Sequence, residues 1–236
     1  MRLHRFYTAE LIGLRKEITI NSAEFTNQIR RVFRLKTGDS VIMFDGSGSD
    51  YECAIVEMDK ESITLHVTGV IQSRFMPSRE VHLYAAIVKK DTFEWIVEKA
   101  TELGVTKIVP VMAERTEKKS LNMERLNKLA VEASEQSGRG SVPVISEIME
   151  LEASVEEAIS NLGNTIVFHT EGEAFSVVGI SSASALNVFI GPEGGWSPKE
   201  IELFHRKKIP IRCLGNQVLR AETAVVAALS VVIFGK

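Results

Sequence analysis

The chain has 236 residues, of which 44% are hydrophobic and 25% charged, a composition that excludes a disordered chain and suits one large domain or two modest ones. Cys53 and Cys213 lie far apart without a CxxC partner, so the sequence indicates neither a disulfide framework nor a zinc site, and both are expected to be buried free thiols. Residues 1–10 lack the apolar core of a secretory signal, and the longest apolar run, residues 224–234, is shorter than the roughly 20 residues of a membrane helix. We therefore expect a cytoplasmic protein without a membrane partner.

Charge is distributed unevenly along the chain. The net charge is −3 overall, but residues 1–36 carry eight Lys or Arg against three acids, a local balance of +5, and the remainder carries −8. Such asymmetry favours a module that binds a polyanion, attached to a more acidic body. The alternative is a solvated basic helix face.

The first seventy residues resemble a small β-rich domain. Hydrophobic spacing predicts a helix over residues 21–33, capped by Asn21 or Ser22. Strands are predicted at 40–44, 51–58 and 62–70, joined by Gly/Asp turns. Short strands with such turns indicate a small β-barrel, and the polar, proline-containing stretch 72–79 places the boundary between domains 1–72 and 73–236.

The pattern changes after this boundary to strands alternating with helices. Strands are predicted at 81–88, 107–111, 165–168, 186–190 and 211–214. Helices are predicted at 91–103, 122–137, 198–207 and 222–234. This alternation predicts an α/β domain whose mainly parallel sheet is covered on both faces.

Three predicted strands end in unusual loops, at residues 168–172, 190–198 and 214–223. Ligands of open α/β sheets bind outside the carboxyl ends of the strands, and glycines there allow close approach to the backbone. The loops therefore predict a pocket lined by main chain, whereas Ser197 and Pro198 are assigned to the start of a helix, with Glu200 completing a capping box. No P-loop, GxSxG elbow or HExxH motif is present, so the pattern supports neither a phosphate-binding NTPase nor a metal-dependent hydrolase.

Five segments of the sequence together resemble one known family. They are HRFY at 4–7, KKDTFEWIVEKATELGV at 89–105, EASEQSGR at 132–139, IGPEGGWSPKE at 190–200 and LGNQVLRAETAVVAAL at 214–229. Their order and content are similar to the 16S rRNA (uracil-N3) methyltransferases of the SPOUT superfamily. The resemblance implies a PUA-like β-barrel followed by a parallel-sheet SPOUT domain with a deep trefoil knot, and a homodimer that acts on the small ribosomal subunit. It also implies S-adenosylmethionine as methyl donor, S-adenosylhomocysteine as product and no metal.

The resemblance also carries residue assignments. The expected donor-binding residues are His169, Thr170, Ile190, Gly191, Glu193, Gly194, Leu214, Gly215, Leu219 and Arg220. Separately from the resemblance, Arg220 is expected to contact the target base or phosphate, because a guanidinium can engage oxygen acceptors; the alternative is an arginine exposed to solvent at the start of a helix. Glu193 is the other catalytic candidate, although the identity of a general base stays open.

The basic residues of the N-terminal domain are expected to bind RNA. RNA phosphates are expected to contact His4, Arg5, Arg30, Arg31 and Arg34, contacts that raise affinity without reading sequence. Arg139 is grouped with them, and two placements stay open for it: the active site, reached within one chain or across a dimer, or a solvated helix end. The competing functions are a SPOUT methyltransferase acting on another RNA or on a ribose 2′-OH, and a non-catalytic RNA-binding or ribosome-assembly factor.

Overall fold

The computed structural model describes residues 3–77, 79–116, 120–160, 163–177 and 185–235. They form two compact units, the smaller comprising the chain up to Met76 together with Ser134–Ser141, and the larger comprising the rest. The segment Ser134–Ser141 thus lies in the smaller unit, whereas the sequence pattern assigned it to domain 73–236.

The smaller unit is a curled five-stranded mixed sheet in the order β1-β3-β4-β5-β2. Its strands are β1 (Arg5–Tyr7), β2 (Glu17–Asn21), β3 (Ser40–Phe44), β4 (Ser49–Met58) and β5 (Ser62–Gln72). β1 and β2 were not predicted. The sheet encloses a core of buried apolar side chains, which include Phe6, Met43 and Leu65.

The predicted helix over 21–33 is present but divided. Helix α1 (Ala23–Asn27) is followed without a break by a π-helical turn, Gln28–Val32. Ser22 is the cap, because its hydroxyl accepts a hydrogen bond from the Phe25 backbone N–H at 3.2 Å. Arg34, just beyond the π turn, has φ +56°, a conformation that non-glycine residues seldom adopt.

The larger unit contains a parallel sheet whose strands follow the order β12-β10-β11-β6-β7-β8, with β9 also pairing with β7. The strands are β6 (Glu80–Ala86), β7 (Lys107–Met112), β8 (Val144–Ile145), β9 (Met149–Glu150), β10 (Asn164–Ala174), β11 (Ala185–Ile190) and β12 (Ile211–Cys213). The helices are α2 (Lys90–Leu103), α3 (Met123–Ser137), α4 (Leu151–Ser160), α5 (Pro198–Arg206) and α6 (Ala221–Phe234); the last four residues of α3 belong to the smaller unit. The prediction of a parallel α/β sheet is confirmed, although α4, β8 and β9 were not predicted.

Both faces of this sheet are buried, because helices cover each of them. Successive strand residues point to opposite faces. Leu83 and Val188 face a core formed with α2, α3 and α6, whereas their neighbours Tyr84 and Phe189 face a second core formed with α4 and α5. The rings of Tyr84 and Phe189 stack on adjacent strands with their centroids 4.4 Å apart. This double burial explains why the central strands are almost wholly apolar.

Two further expectations concern the chain as a whole. Cys53 is a buried free thiol, as predicted, but Cys213 is only half-buried, because it lies on the short edge strand β12. The trefoil knot stays a prediction, since the connection from β10 to β11 contains residues 178–184, outside the described residues. No helix in the described ranges is long and apolar enough to cross a membrane.

Candidate active site

A cavity of about 600 Å³ lies at the carboxyl ends of β11 and β12, next to the irregular part of β10 after Phe168. Its wall combines main chain with apolar side chains and a few polar groups, which suits a small organic ligand. The lining residues are Arg115, Phe168, His169, Thr170, Glu171, Ile190, Gly191, Pro192, Glu193, Gly194, Gly195, Trp196, Pro198, Ile201, Leu214, Gly215, Gln217, Val218, Leu219, Ala221 and Ala224. All three loops singled out in the sequence contribute to it.

The loop after β11 is shaped by a buried tryptophan. Trp196 is 2% exposed, and its indole N–H donates to the Phe168 carbonyl at 3.3 Å, joining the ends of β10 and β11. A Cβ added at Gly191 would lie only 3.1 Å from the Trp196 ring, so any larger residue there would have to displace this buried ring. Gly195 has φ +68°, a left-handed backbone conformation that glycine adopts without steric cost.

The start of α5 closes the same loop. The Ser197 hydroxyl accepts a hydrogen bond from the Glu200 N–H at 3.3 Å, and the Glu200 carboxylate accepts one from the Ser197 N–H at 2.6 Å. This reciprocal pair is the predicted capping box. Pro198 nevertheless also lines the cavity, together with Trp196, although the sequence pattern assigned Pro198 only to the start of the helix.

The end of β10 departs from regular pairing at the cavity. β10 pairs with β12 at Phe168 and again at Glu173, with a register shift between them. The residues between these pairs include His169 and Thr170, which line the cavity. An irregularity of this kind redirects side chains at the end of a strand, here toward the pocket.

The loop from β12 to α6 forms the third wall. Leu214, Gly215 and Leu219 line the cavity, as does Ala221 at the start of α6. Arg220 lies between two of these residues and is the cap residue of α6, but its exposed side chain makes no capping hydrogen bond and is not part of the lining. Nine of the ten predicted donor-binding residues therefore surround one cavity, and Arg220 lies at its edge.

Sequence reasoning missed Arg115. This residue follows β7, far along the chain from residues 191–195 after β11, the glycine-rich loop, yet its Nη1 donates to the Gly194 carbonyl at 2.5 Å. Trp196, Ile201 and Ala224 were also not assigned. Only the strand-end position of Arg115 could have pointed to it, since no local motif marks the residue.

The predicted RNA-contacting residues divide into two groups. His4, Arg30, Arg31 and Arg34 are exposed, and the His4 ring lies 4.6 Å from the ring of Phe33. These four are accessible to a polyanion.

The placement of Arg5 is not compatible with the predicted RNA contact. Its guanidinium forms a bidentate ion pair with Asp50, and both side chains are less than 10% exposed. Arg5 also donates to the Arg139 carbonyl at 3.3 Å. Asp50 therefore neutralises the charge of Arg5 inside the smaller unit, and this charge does not attract RNA phosphate.

The predicted RNA contact of Arg139 is likewise not compatible with its placement. It is 3% exposed, and burial lowers its pKa to about 10. Its Nη2 donates to the Ser141 hydroxyl at 3.4 Å, and the preceding Glu135 accepts a hydrogen bond from the Tyr7 N–H at 2.9 Å. Arg139 is therefore neither a solvated helix end nor placed to contact RNA at the surface, and the HRFY and EASEQSGR segments contact each other within the smaller unit.

Comparison with known proteins gives a consistent result. The family model described as an RNA methyltransferase domain matches residues 76–233, and the one described as an RNA methyltransferase PUA domain matches residues 29–68. The ribosomal RNA small subunit methyltransferase E of Rickettsia conorii is 29% identical, over 98% of this chain and 95% of that protein. The protein of the same name from Synechocystis is 31% identical, over 90% and 71%.

A solved structure is similar in fold to this chain over nearly its whole length. A protein from Legionella pneumophila, determined in complex with the bound cofactor SAM, has a TM-score of 0.87 and 27% identity, covering 98% of this chain and 97% of that one. With one family model spanning more than half of the sequence and a second matching its β-rich part, the chain belongs to the RNA methyltransferase family whose methyltransferase domain follows a PUA domain.

Proposed function

We propose that this protein transfers a methyl group from S-adenosylmethionine to ribosomal RNA of the small subunit. The observation that carries the proposal is the main-chain-lined cavity at the carboxyl ends of β11 and β12 and the irregular part of β10. The names of the relatives support the RNA substrate, and the Legionella complex supports the donor.

The cavity suits this donor chemically. Main-chain groups around Gly191, Gly194 and Gly215 offer hydrogen bonds to a purine, while Ile190, Leu214 and Leu219 offer apolar surface to its ring. S-adenosylmethionine supplies an electrophilic methyl group and leaves as S-adenosylhomocysteine. The protein's own contribution is to hold the acceptor atom in line with that group, which is largely a matter of positioning.

The finer proposal, based on the family resemblance, is that the acceptor is N3 of a uridine in 16S rRNA. N3 carries a proton, so formation of the N–C bond requires that proton to pass to a base or to solvent. Arg220 is proposed to stabilise the negative charge that develops on the uracil, because its guanidinium stays charged and can engage oxygen acceptors. Glu193, an exposed carboxylate of the cavity wall, is the proposed proton acceptor.

RNA binding is proposed for the exposed cations of the smaller unit, His4, Arg30, Arg31 and Arg34. They contribute affinity through phosphates and leave recognition of the target nucleotide to the cavity. Arg5 and Arg139 are left out of this surface because both are buried.

We further propose that two copies form a homodimer in the cytoplasm. α2 and α6 share one core, yet they expose the large apolar side chains of Trp95, Val231 and Phe234. Exposed apolar surface on neighbouring helices is typical of an interface. Sedimentation should give twice the mass of the chain, and a monomer at working concentration would refute this part.

Donor binding is tested by calorimetric titration with S-adenosylmethionine. Ala224 lies on α6, packs against the core and lines the cavity, so Ala224→Phe should fill part of the cavity and reduce donor affinity at least about tenfold, with thermal unfolding used to establish that the variant is folded. Ala224→Ser, which adds little volume, is the matched control. Wild-type protein that binds no donor would refute the proposed function, and undiminished binding by Ala224→Phe would show that the donor occupies another site.

A further inference from the structure

Arg115 connects two loops that are separated by a strand. It follows β7, whereas the glycine-rich loop follows β11, and β6 lies between these strands in the sheet. Its Nη1 donates to the Gly194 carbonyl at 2.5 Å, and its Cδ lies 3.3 Å from the position that a Gly194 Cβ would occupy. The side chain therefore reaches across β6 to hold one peptide group of the cavity wall.

The segment that carries Arg115 is itself fixed. The Ala113 N–H donates to the Thr116 hydroxyl at 3.1 Å, and the Thr116 N–H donates to the Ala113 carbonyl at 3.0 Å. The Glu114 N–H donates to the Glu200 carboxylate at 2.8 Å, and the Ser197 hydroxyl donates to the Glu114 carboxylate at 2.5 Å. Arg115 thus projects from a short turn anchored on both sides, next to the capping box of α5.

The glycine-rich loop needs such an anchor. Gly191, Gly194 and Gly195 have no side chains with which to pack, and glycine loses more conformational freedom on ordering than any other residue. Trp196 and the capping box fix the far end of the loop at α5, and the Gly195 N–H donates to the Pro192 carbonyl at 2.8 Å, but Gly194 is exposed. Within the described part of the chain, Arg115 supplies the side-chain hydrogen bond to this exposed peptide.

We propose that Arg115 is a positioning residue of the donor site: it holds the Gly194 carbonyl and so keeps the glycine-rich loop in the conformation that binds the donor. The inference rests on the proposed function. Arg115 also lines the cavity, and its hydrogen bond to the Gly194 carbonyl, which does not depend on the charge of the donor's sulfur, is the contact through which it acts. Its loss should therefore weaken binding of S-adenosylmethionine and of uncharged-sulfur S-adenosylhomocysteine alike.

The test compares Arg115→Met with Arg115→Lys by calorimetric titration of both ligands. Methionine retains an apolar stem near Gly194 but has no donor, so affinity should fall about tenfold or more, as expected for loss of a hydrogen bond from a charged group. Lysine keeps one charged donor, so its affinity should lie between those of the wild type and Arg115→Met. Arg115 is exposed, so both variants should keep the wild-type unfolding temperature.

Arg206→Met is the matched control, because Arg206 is an exposed arginine of the same unit that does not line the cavity. Wild-type affinity in Arg115→Met, equal losses in the methionine and lysine variants, or a loss for only one of the two ligands would overturn this inference while leaving the proposed function intact. A wild-type protein that binds neither ligand would overturn both.

Discussion

Arg220 is the residue on which the proposed catalysis depends. It is exposed, it precedes α6, and both of its neighbours line the cavity, so it can reach an acceptor base without holding the donor. Arg220→Ala should lower the rate of methyl transfer in single-turnover assays by roughly 10²- to 10³-fold, the usual effect of removing one electrostatic stabiliser. Donor affinity by calorimetry should stay within about twofold of the wild type. A loss of donor binding that matches the loss of rate would instead make Arg220 a donor-binding residue.

His82 gives a residue-level prediction about pH. It lies between Lys107 and Asn187 on adjacent strands, and burial, followed by the charge of Lys107, lowers its pKa below 6.5. The folded state therefore holds His82 neutral at pH values where the unfolded chain binds a proton. This contribution to stability is present above pH 6.5 and is lost as the pH falls toward the folded pKa.

The measurement is the free energy of unfolding in urea at pH values on both sides of 6.5. His82→Gln should reduce the decline seen in the wild type below pH 6.5, because the variant has no proton to take up on unfolding at this position. Parallel declines in the two proteins would contradict the prediction.

Residue assignments were predictable where they rested on neighbouring residues. The capping box needs only Ser197 and Glu200 three positions apart, and the glycines of residues 191–195 mark a close approach to the backbone. Arg5 and Arg115 could not be placed in this way. Their partners, Asp50 and the Gly194 carbonyl, are distant in sequence, and an arginine at the surface has the same local pattern as a buried one.

At the level of elements, the π-helical turn Gln28–Val32 carries two of the four exposed cations that are proposed to bind RNA. π turns are often found at functional sites, and this one presents Arg30 and Arg31 to solvent. Replacing both with Ala should weaken RNA binding and lower the slope of log affinity against log salt by roughly 0.7 to 0.9 for each phosphate that is no longer neutralised. Titrations at several salt concentrations measure this slope. Lys60→Ala, at the β4–β5 turn, is the control, and an unchanged slope in the double variant would mean that the arginines are only a solvated face.

Elements were predicted well where hydrophobic periodicity is strong. The central strands and α2, α5 and α6 have apolar residues in the expected register, and their bounds agree with the sequence to within a few residues. The short strands β1, β8 and β9 have too few residues to show a period, and their pairing depends on distant partners. β10 was predicted to end at Phe168, because the polar residues after it resemble a loop, whereas it pairs again with β12 at Glu173.

At the scale of the whole molecule, the two units have the properties expected of the two proposed functions, RNA binding and donor binding. The smaller unit carries the exposed cations that are proposed to bind RNA, and the larger unit carries the cavity. Alternating strands and helices predicted the second fold from physical pattern alone. The expected donor and RNA come only from family resemblance, since composition and spacing indicate a pocket without identifying its ligand, and the target atom stays a prediction from the same source.

The most direct test is to map the nucleoside that the protein modifies. Small ribosomal subunits lacking the modification are incubated with the protein and S-adenosylmethionine, and the digested 16S rRNA is analysed by mass spectrometry, with Ala224→Phe in parallel. We predict one additional methyl group, on N3 of a single uridine, and a much lower yield from the variant. A methyl group on a ribose 2′-OH, or no methylation by wild-type protein that binds the donor, would contradict the proposed function.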